Sequence, residues 1–234
     1  MPRLPRPVAD GLLYHVLNRG NNRAAVFGPP EDYLTFLQAL TQTQSRYPFQ
    51  LYAYCLMSNH FHLLLAPAVG QNISRIVQSL TVTHTWHYHK AYQTSGHVWQ
   101  GRFKSPTIQN DAHALVVLRY IEANPLRAGL VSNLASYPWS SYRVHGMGMV
   151  DPLVQDLPVW LSLKRDGAAR QVYWREWVNT PLTDRELSAI RQAVVSGRPY
   201  GSTSWAKRTA AVLGLPLSSR PRGRPRKEAA KVEK

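Results

Sequence analysis

Residues 49–66 read FQLYAYCLMSNHFHLLLA, two runs of aromatic and long aliphatic side chains divided by Ser58-Asn59. Such side chains suit a pleated, half-buried surface, and a two-residue polar break has hairpin length. The stretch therefore predicts a strand over 49–57, a tight turn, and a second strand over 60–66. Side chains alternate along a strand, so His60 and His62 project from one face and Phe61 and Leu63 from the other. Neutral imidazoles are natural ligands for a divalent ion, although two of them neither complete a coordination shell nor identify the metal. The competing reading is a pair of strand histidines bonded to other polar groups.

Outward from this hairpin, residues 12–18 read as a strand followed by the polar turn Arg19-Gly20-Asn21-Asn22-Arg23, whose Arg19 and Arg23 are candidates to meet a phosphate backbone, an ordinary solvated hairpin being the equal alternative. Pro29-Pro30-Glu31-Asp32 opens a helix whose apolar face is Tyr33, Leu34, Phe36, Leu37 and Leu40. Ile73, Ile76, Val77 and Leu80 mark a second helix. Its continuation carries His84, Trp86, His87, Tyr88 and His89, which suit either base contacts or a partly buried helix end. Residues 97–108, HVWQGRFKSPTI, return to extended character and bring Arg102 and Lys104. Residues 112–123 then form a strongly apolar helix that should end at Asn124-Pro125. The order strand, helix, strand, strand, helix, strand, helix predicts an α+β fold, a small antiparallel sheet with helices on one face. No GxGxxG follows the opening strand, which argues against a dinucleotide-binding repeat.

Beyond about Asp151 the character changes to short helical signals at 183–195 and 202–213 and a Pro- and Arg-rich end. We place a boundary here, with 1–150 as the main domain and 151–234 as a helical extension with a basic tail. From Arg198 onward the formal charge is +8. Within the tail, Arg222, Arg224, Arg226 and Lys227 are candidates for contact with a phosphate backbone or an AT-rich minor groove.

The whole chain of 234 residues carries 28 Lys and Arg against 13 Asp and Glu, a formal +15. This excess favours a polyanionic partner bound in a salt-sensitive way. There is neither a long apolar span nor a signal-like start, so a cytoplasmic nucleic-acid partner is expected rather than a membrane. The single cysteine, Cys55, lies inside the first apolar run; it cannot form an internal disulfide and reads as a buried thiol.

Residues 119–125 read RYIEANP, and helical spacing puts Tyr120 and Asn124 on one face, where a hydroxyl nucleophile and an amide ligand are both available. Taken alone, a tyrosine at the end of an apolar helix is more often a packing residue with a hydrogen-bonded hydroxyl.

Four ordered blocks carry a resemblance: YHVLNRG at 14–20, MSNHFHLLL at 57–65, WQGRFKS at 99–105 and YIEANPLRAGLV at 120–131. Together they resemble the single-tyrosine transposases of the His-hydrophobic-His (HUH) type, and within them the branch associated with repetitive extragenic palindromic (REP) sequences. Residues 197–214 resemble terminal regions of that branch more loosely.

The resemblance implies a ferredoxin-like catalytic domain with His60 and His62 as ligands of magnesium or manganese and Tyr120 as nucleophile. It also implies single-stranded or hairpin-flanked DNA as substrate, cut and rejoined through a 5′-phosphotyrosine. Many relatives carry glutamine four residues after the tyrosine; here Asn124 occupies that place, as ligand or as orienter of a water. Relatives work either as monomers or as dimers that exchange catalytic helices, and both states are open here. Two other readings share the charge and the histidines: a catalytically silent DNA-binding protein, and a metal-dependent DNA hydrolase that leaves no covalent adduct.

Overall fold

The computed structural model describes residues 9–215. The Arg222, Arg224, Arg226 and Lys227 candidates lie outside the described residues. Four strands, β1 (Leu13–Arg19), β2 (Phe49–Met57), β3 (His60–Pro67) and β4 (Thr107–Ile108), form an antiparallel sheet in the order β2-β3-β1-β4. Helix α1 (Pro30–Arg46) joins β1 to β2, and α2 (Ile73–Tyr92) lies between β3 and β4. This is the ferredoxin-like βαββαβ order. The hairpin of 49–66 falls where its sequence puts it, with Met57 opposite His60 across Ser58-Asn59.

Helices cover both faces of the sheet, not one. Every β2 residue except Gln50 is buried, so the strand has an apolar neighbour on each side. On one face Phe61, Leu63 and Leu65 meet Phe36 and Leu40 of α1 and Ile76 and Leu80 of α2. On the other, Ala53, Cys55 and Leu64 meet Val117, Leu118 and Ile121 of α3 (Ala112–Glu122). Cys55 is fully buried as expected, and burial pushes its thiol far above the ordinary range.

The segment 97–108 is less regular than its composition suggests. It joins the sheet through single bridges, Gly20 to Trp99 and Leu17 to Lys104, and through the two residues of β4. Gly101 turns the chain at φ +68°, and Pro106 brings no N–H to the ladder. Asn124-Pro125 redirects the helix without stopping it, because α4 (Asn124–Arg127) follows with Pro125 in its first turn, where a missing N–H costs nothing.

The rest of the described chain adds α5 (Tyr142–Met147), α6 (Pro158–Leu161), α7 (Gly167–Asn179), α8 (Asp184–Ser196) and α9 (Thr203–Val212). Trp160, Trp174, Val178 and Ile190 from α6, α7 and α8 enter the same core as α3. Two side chains flanking Tyr120 tie α3 to these helices. Arg119 donates to the carbonyls of Thr180 and Pro181 and lies over the Trp177 ring, 5.0 Å from its centroid. Glu122, fully buried, accepts from Ser141, His145 and Trp174.

Candidate active site

His60 and His62 sit on β3, an interior strand of the sheet, opposite Arg19 and Leu17 of β1. Their rings stand edge to face with centroids 4.9 Å apart. Each Nδ1 is committed: His60 donates to Asn59 Oδ1 at 2.7 Å, and His62 Nδ1 shares a proton with Nε2 of His15 at 2.9 Å. The Nε2 atoms are therefore the ones available to a ligand.

Burial, then the charge of Arg19, holds His60 down at about 4. Burial, then His15, His60 and Arg127, holds His62 well below the ordinary imidazole value, and burial alone holds His15 at about 3. All three are neutral at pH 7, the form in which imidazole binds a metal ion. The donor set thus fits a divalent cation at two positions. Among the described residues no group of three His, Cys, Asp or Glu converges, so its other ligands would be oxygens of amide, water or substrate.

A cavity of about 790 Å³ brings His60 and His62 together with Tyr120, and its wall includes Arg19, Arg23, Arg102 and Lys104. Tyr120, the two histidines and the four cations, all singled out from sequence, thus share one space. Tyr120 is 9 % exposed, its ring edge-on to those of His15 and His62 at 5.8 and 5.7 Å. The cationic rim is held by a tight turn: Gly20 N–H donates to the Asn59 carbonyl at 2.8 Å, and a Cβ on Gly20 would lie 2.2 Å from the Ala24 carbonyl oxygen.

Asn124 is not brought into that wall. Its amide nitrogen donates to the Tyr120 and Ile121 carbonyls at 3.0 and 3.2 Å, and its Oδ1 accepts from Arg127 at 3.2 Å. A short amide one turn after Tyr120 bonds back to its own helix, the usual local competition for Asn. As placed here, Oδ1 already commits one lone pair to Arg127, so a ligand role for Asn124 would draw on the other.

Two participants were missed from the sequence. Arg127 lies over the Tyr120 ring, 4.8 Å from its centroid, and the spacing of seven residues was a readable helical signal. His15 gave none, since its meeting with His62 depends on the register of β1 against β3. The aromatic residues of α2 are mostly used in packing. His84 is buried against the Val26 carbonyl, whereas Trp86 is exposed; Trp99, from the segment 97–108, donates its Nε1 to Thr81 and Thr85 of α2.

These buried imidazoles make stability pH-dependent. In the unfolded chain His15 takes up its proton near the ordinary value of 6.5, but in the fold only at about 3. The unfolded state therefore binds more protons in between, and the stabilisation present above pH 6.5 is lost as pH falls. The contribution of His15 alone is on the order of 2 kcal/mol between pH 7 and pH 5. Thermal unfolding followed at both pH values should show a smaller acid-induced fall in Tm for His15→Leu than for the wild type, each referred to its own value at pH 7.

Comparison with known proteins gives the class to which this fold belongs. The family described as "Transposase IS200 like" matches residues 9–124. A Haemophilus influenzae protein described as a REP-associated tyrosine transposase is 32% identical over 123 residues, 47% of this chain and 69% of that protein. The chain belongs to the IS200-like transposase family. A solved structure of a REP-associated tyrosine transposase bound to a REP hairpin superposes with a TM-score of 0.53 at 20% identity, covering 68% of this chain and 93% of that one, and shares its fold. Among the described residues no helix is long and apolar enough to cross a membrane.

Proposed function

We propose that this chain cuts and rejoins single-stranded or hairpin-flanked DNA through a 5′-phosphotyrosine on Tyr120, as a cytoplasmic enzyme. The observation that carries the reading is the single cavity holding Tyr120, His60 and His62 behind a rim of Arg19, Arg23, Arg102 and Lys104. Four cations at the mouth attract a phosphate backbone, and a tyrosine on the inner wall can meet only a strand that enters. In the reaction the Tyr120 oxygen bonds to phosphorus and gives up its proton. The bond from phosphorus to the 3′ oxygen breaks, and that oxygen takes up a proton to leave a free 3′ hydroxyl. A second 3′ hydroxyl then attacks the adduct and releases the tyrosine, exchanging one phosphodiester for another without ATP.

His60 and His62 would hold magnesium or manganese, which when bound supplies a positive charge against the developing charge on the phosphate oxygens. His15 fixes the His62 ring, and Arg127 places a second fixed cation beside the tyrosine. Residues 1–150 carry the chemistry in this reading, and 151–234 form the helical extension with the basic tail.

The test is incubation of the full chain with hairpin-flanked single-stranded DNA and either metal, followed by denaturation and a search for protein-linked DNA. His60→Ala and His62→Ala should each lower adduct formation about 100-fold at limiting metal, the scale for disturbing a metal site, and should bind DNA much as the wild type does. Unchanged adduct formation in either variant removes that residue from the ligand set. Cleavage without any adduct in the wild type would favour the hydrolase.

A further inference from the structure

Helix α8 is a wall shared by two concavities. Val194 and Val195 line the cavity of Tyr120, whereas Ala189, Gln192, Ala193 and Ser196, spaced as one helical face, line a separate cleft of about 540 Å³ closed by α9. Arg185, Arg198 and Lys207 also line this cleft, with Glu186 as its acidic member. Glu186 is already occupied, accepting from the Thr183 N–H and hydroxyl as a helix cap and lying 3.7 Å from Arg119. The cleft is therefore cationic in balance.

Helix α9, TSWAKRTAAV, contains no acid and exposes Thr203, Ser204, Lys207, Arg208, Ala211 and, at its end, Val212. Its position is fixed from below. Tyr200 N–H donates to the Thr107 carbonyl at 2.8 Å, Gln109 N–H donates to the Tyr200 carbonyl at 2.9 Å, and Ser202 N–H donates to Gln109 Oε1 at 2.8 Å. A side chain on Gly201 would meet Gln109 and Trp205 at 2.6 Å, so the connection between the helices sits tight on the sheet edge.

We propose that α8 and α9 form a second DNA-binding surface that takes duplex DNA, the stem of a hairpin, on the cations of the cleft and the exposed face of α9. The chemistry of that face selects the form of DNA. A single strand is gripped by aromatic side chains that stack its bases, and the exposed positions of α9 carry none. Short hydroxyl side chains followed by Lys207 and Arg208 suit a helix laid against a duplex, where phosphates flank a groove of base edges. The shared α8 wall would then set a stem held on one side at a fixed distance from a strand entering the Tyr120 cavity on the other. The inference rests on the reading that the substrate is DNA, but not on the chemistry at Tyr120.

The experiment uses the full chain, with Lys207→Gln combined with Arg208→Gln, both exposed, and separately Arg185→Gln. The probes are a DNA hairpin whose stem spans at least one helical turn and carries a single-stranded flank, and the flank alone. Fluorescence anisotropy across a salt series should show the double variant binding the hairpin roughly tenfold more weakly, with a salt slope reduced by about 2, and Arg185→Gln reducing it by about 1. Binding of the flank alone should change little. Unchanged hairpin affinity and slope in both variants would overturn the proposal, and so would an equal loss on both probes, which marks a surface indifferent to DNA form. Adduct formation on the flank separates this test from the catalytic reading: a selective stem defect in a chain that never forms an adduct upholds the surface and rejects the chemistry.

Discussion

Tyr120→Phe should bind hairpin-flanked DNA as the wild type does and form no covalent product, with cleavage reduced on the order of 10⁴-fold or more, the scale for loss of a nucleophile. The substitution removes one oxygen and keeps the ring. The contacts that seat the ring, His15 and His62 at 5.8 and 5.7 Å and the Arg127 guanidinium at 4.8 Å, all survive it. The cationic rim is likewise untouched, so affinity and its salt dependence should not move. End-labelled DNA, denaturation and peptide mapping read the result directly. The wild type should carry DNA on a peptide containing Tyr120, with phosphate from the 5′ side of the break and a free 3′ hydroxyl on the other fragment. DNA linked to another residue, or an adduct of normal yield in the variant, would overturn the assignment.

What the sequence revealed and what it hid follow from the range of the interactions. The alternation of His60, Phe61, His62 and Leu63 is a local property of a strand, and the spacing of Tyr120 and Asn124 is a local property of a helix, so both were readable. The convergence of Arg102 and Lys104 on the histidines was not. It depends on Leu17 bonding Lys104 across the sheet, a pairing between segments far apart in the chain. His15 was hidden for the same reason.

The setting of Asn124 was hidden at closer range, because spacing places it on the face of Tyr120 but does not show that its amide turns back to the Tyr120 carbonyl. Helix α7 escaped notice because Trp174 and Val178 are its only buried positions, too few to set a period. The second covered face of the sheet had a visible signal in the nearly continuous apolar run of β2, which the expectation of a half-exposed sheet passed over.

Glu122→Ala should be the most destabilising single change near the site, costing about 3–5 kcal/mol, the range for breaking a buried charged network, and lowering Tm by roughly 10 °C. Glu122 is fully buried, and its two oxygens divide three donors. Oε1 accepts from Ser141 Oγ at 2.6 Å and from His145 Nδ1 at 2.7 Å, and Oε2 accepts from Trp174 Nε1 at 2.8 Å. Alanine would leave His145 Nδ1 and Trp174 Nε1 without an acceptor and Ser141 Oγ with only the Tyr54 carbonyl at 3.3 Å, adding unsatisfied polar groups to a cavity. Glutamine is no neutral replacement. With its oxygen toward Ser141 and His145, its NH₂ would face the Trp174 N–H, donor against donor. Glu122→Gln should therefore fall between the wild type and alanine, and adding Trp174→Phe should recover part of its loss by removing the opposing donor. Thermal unfolding of the four proteins tests this order; a Glu122→Ala protein as stable as the wild type would overturn it. Because Glu122 lies two residues after Tyr120 on α3, the same variants should lose adduct formation below their own Tm while keeping the cationic rim and hence DNA affinity. That split identifies the buried cluster as what holds the Tyr120 helix against the sheet.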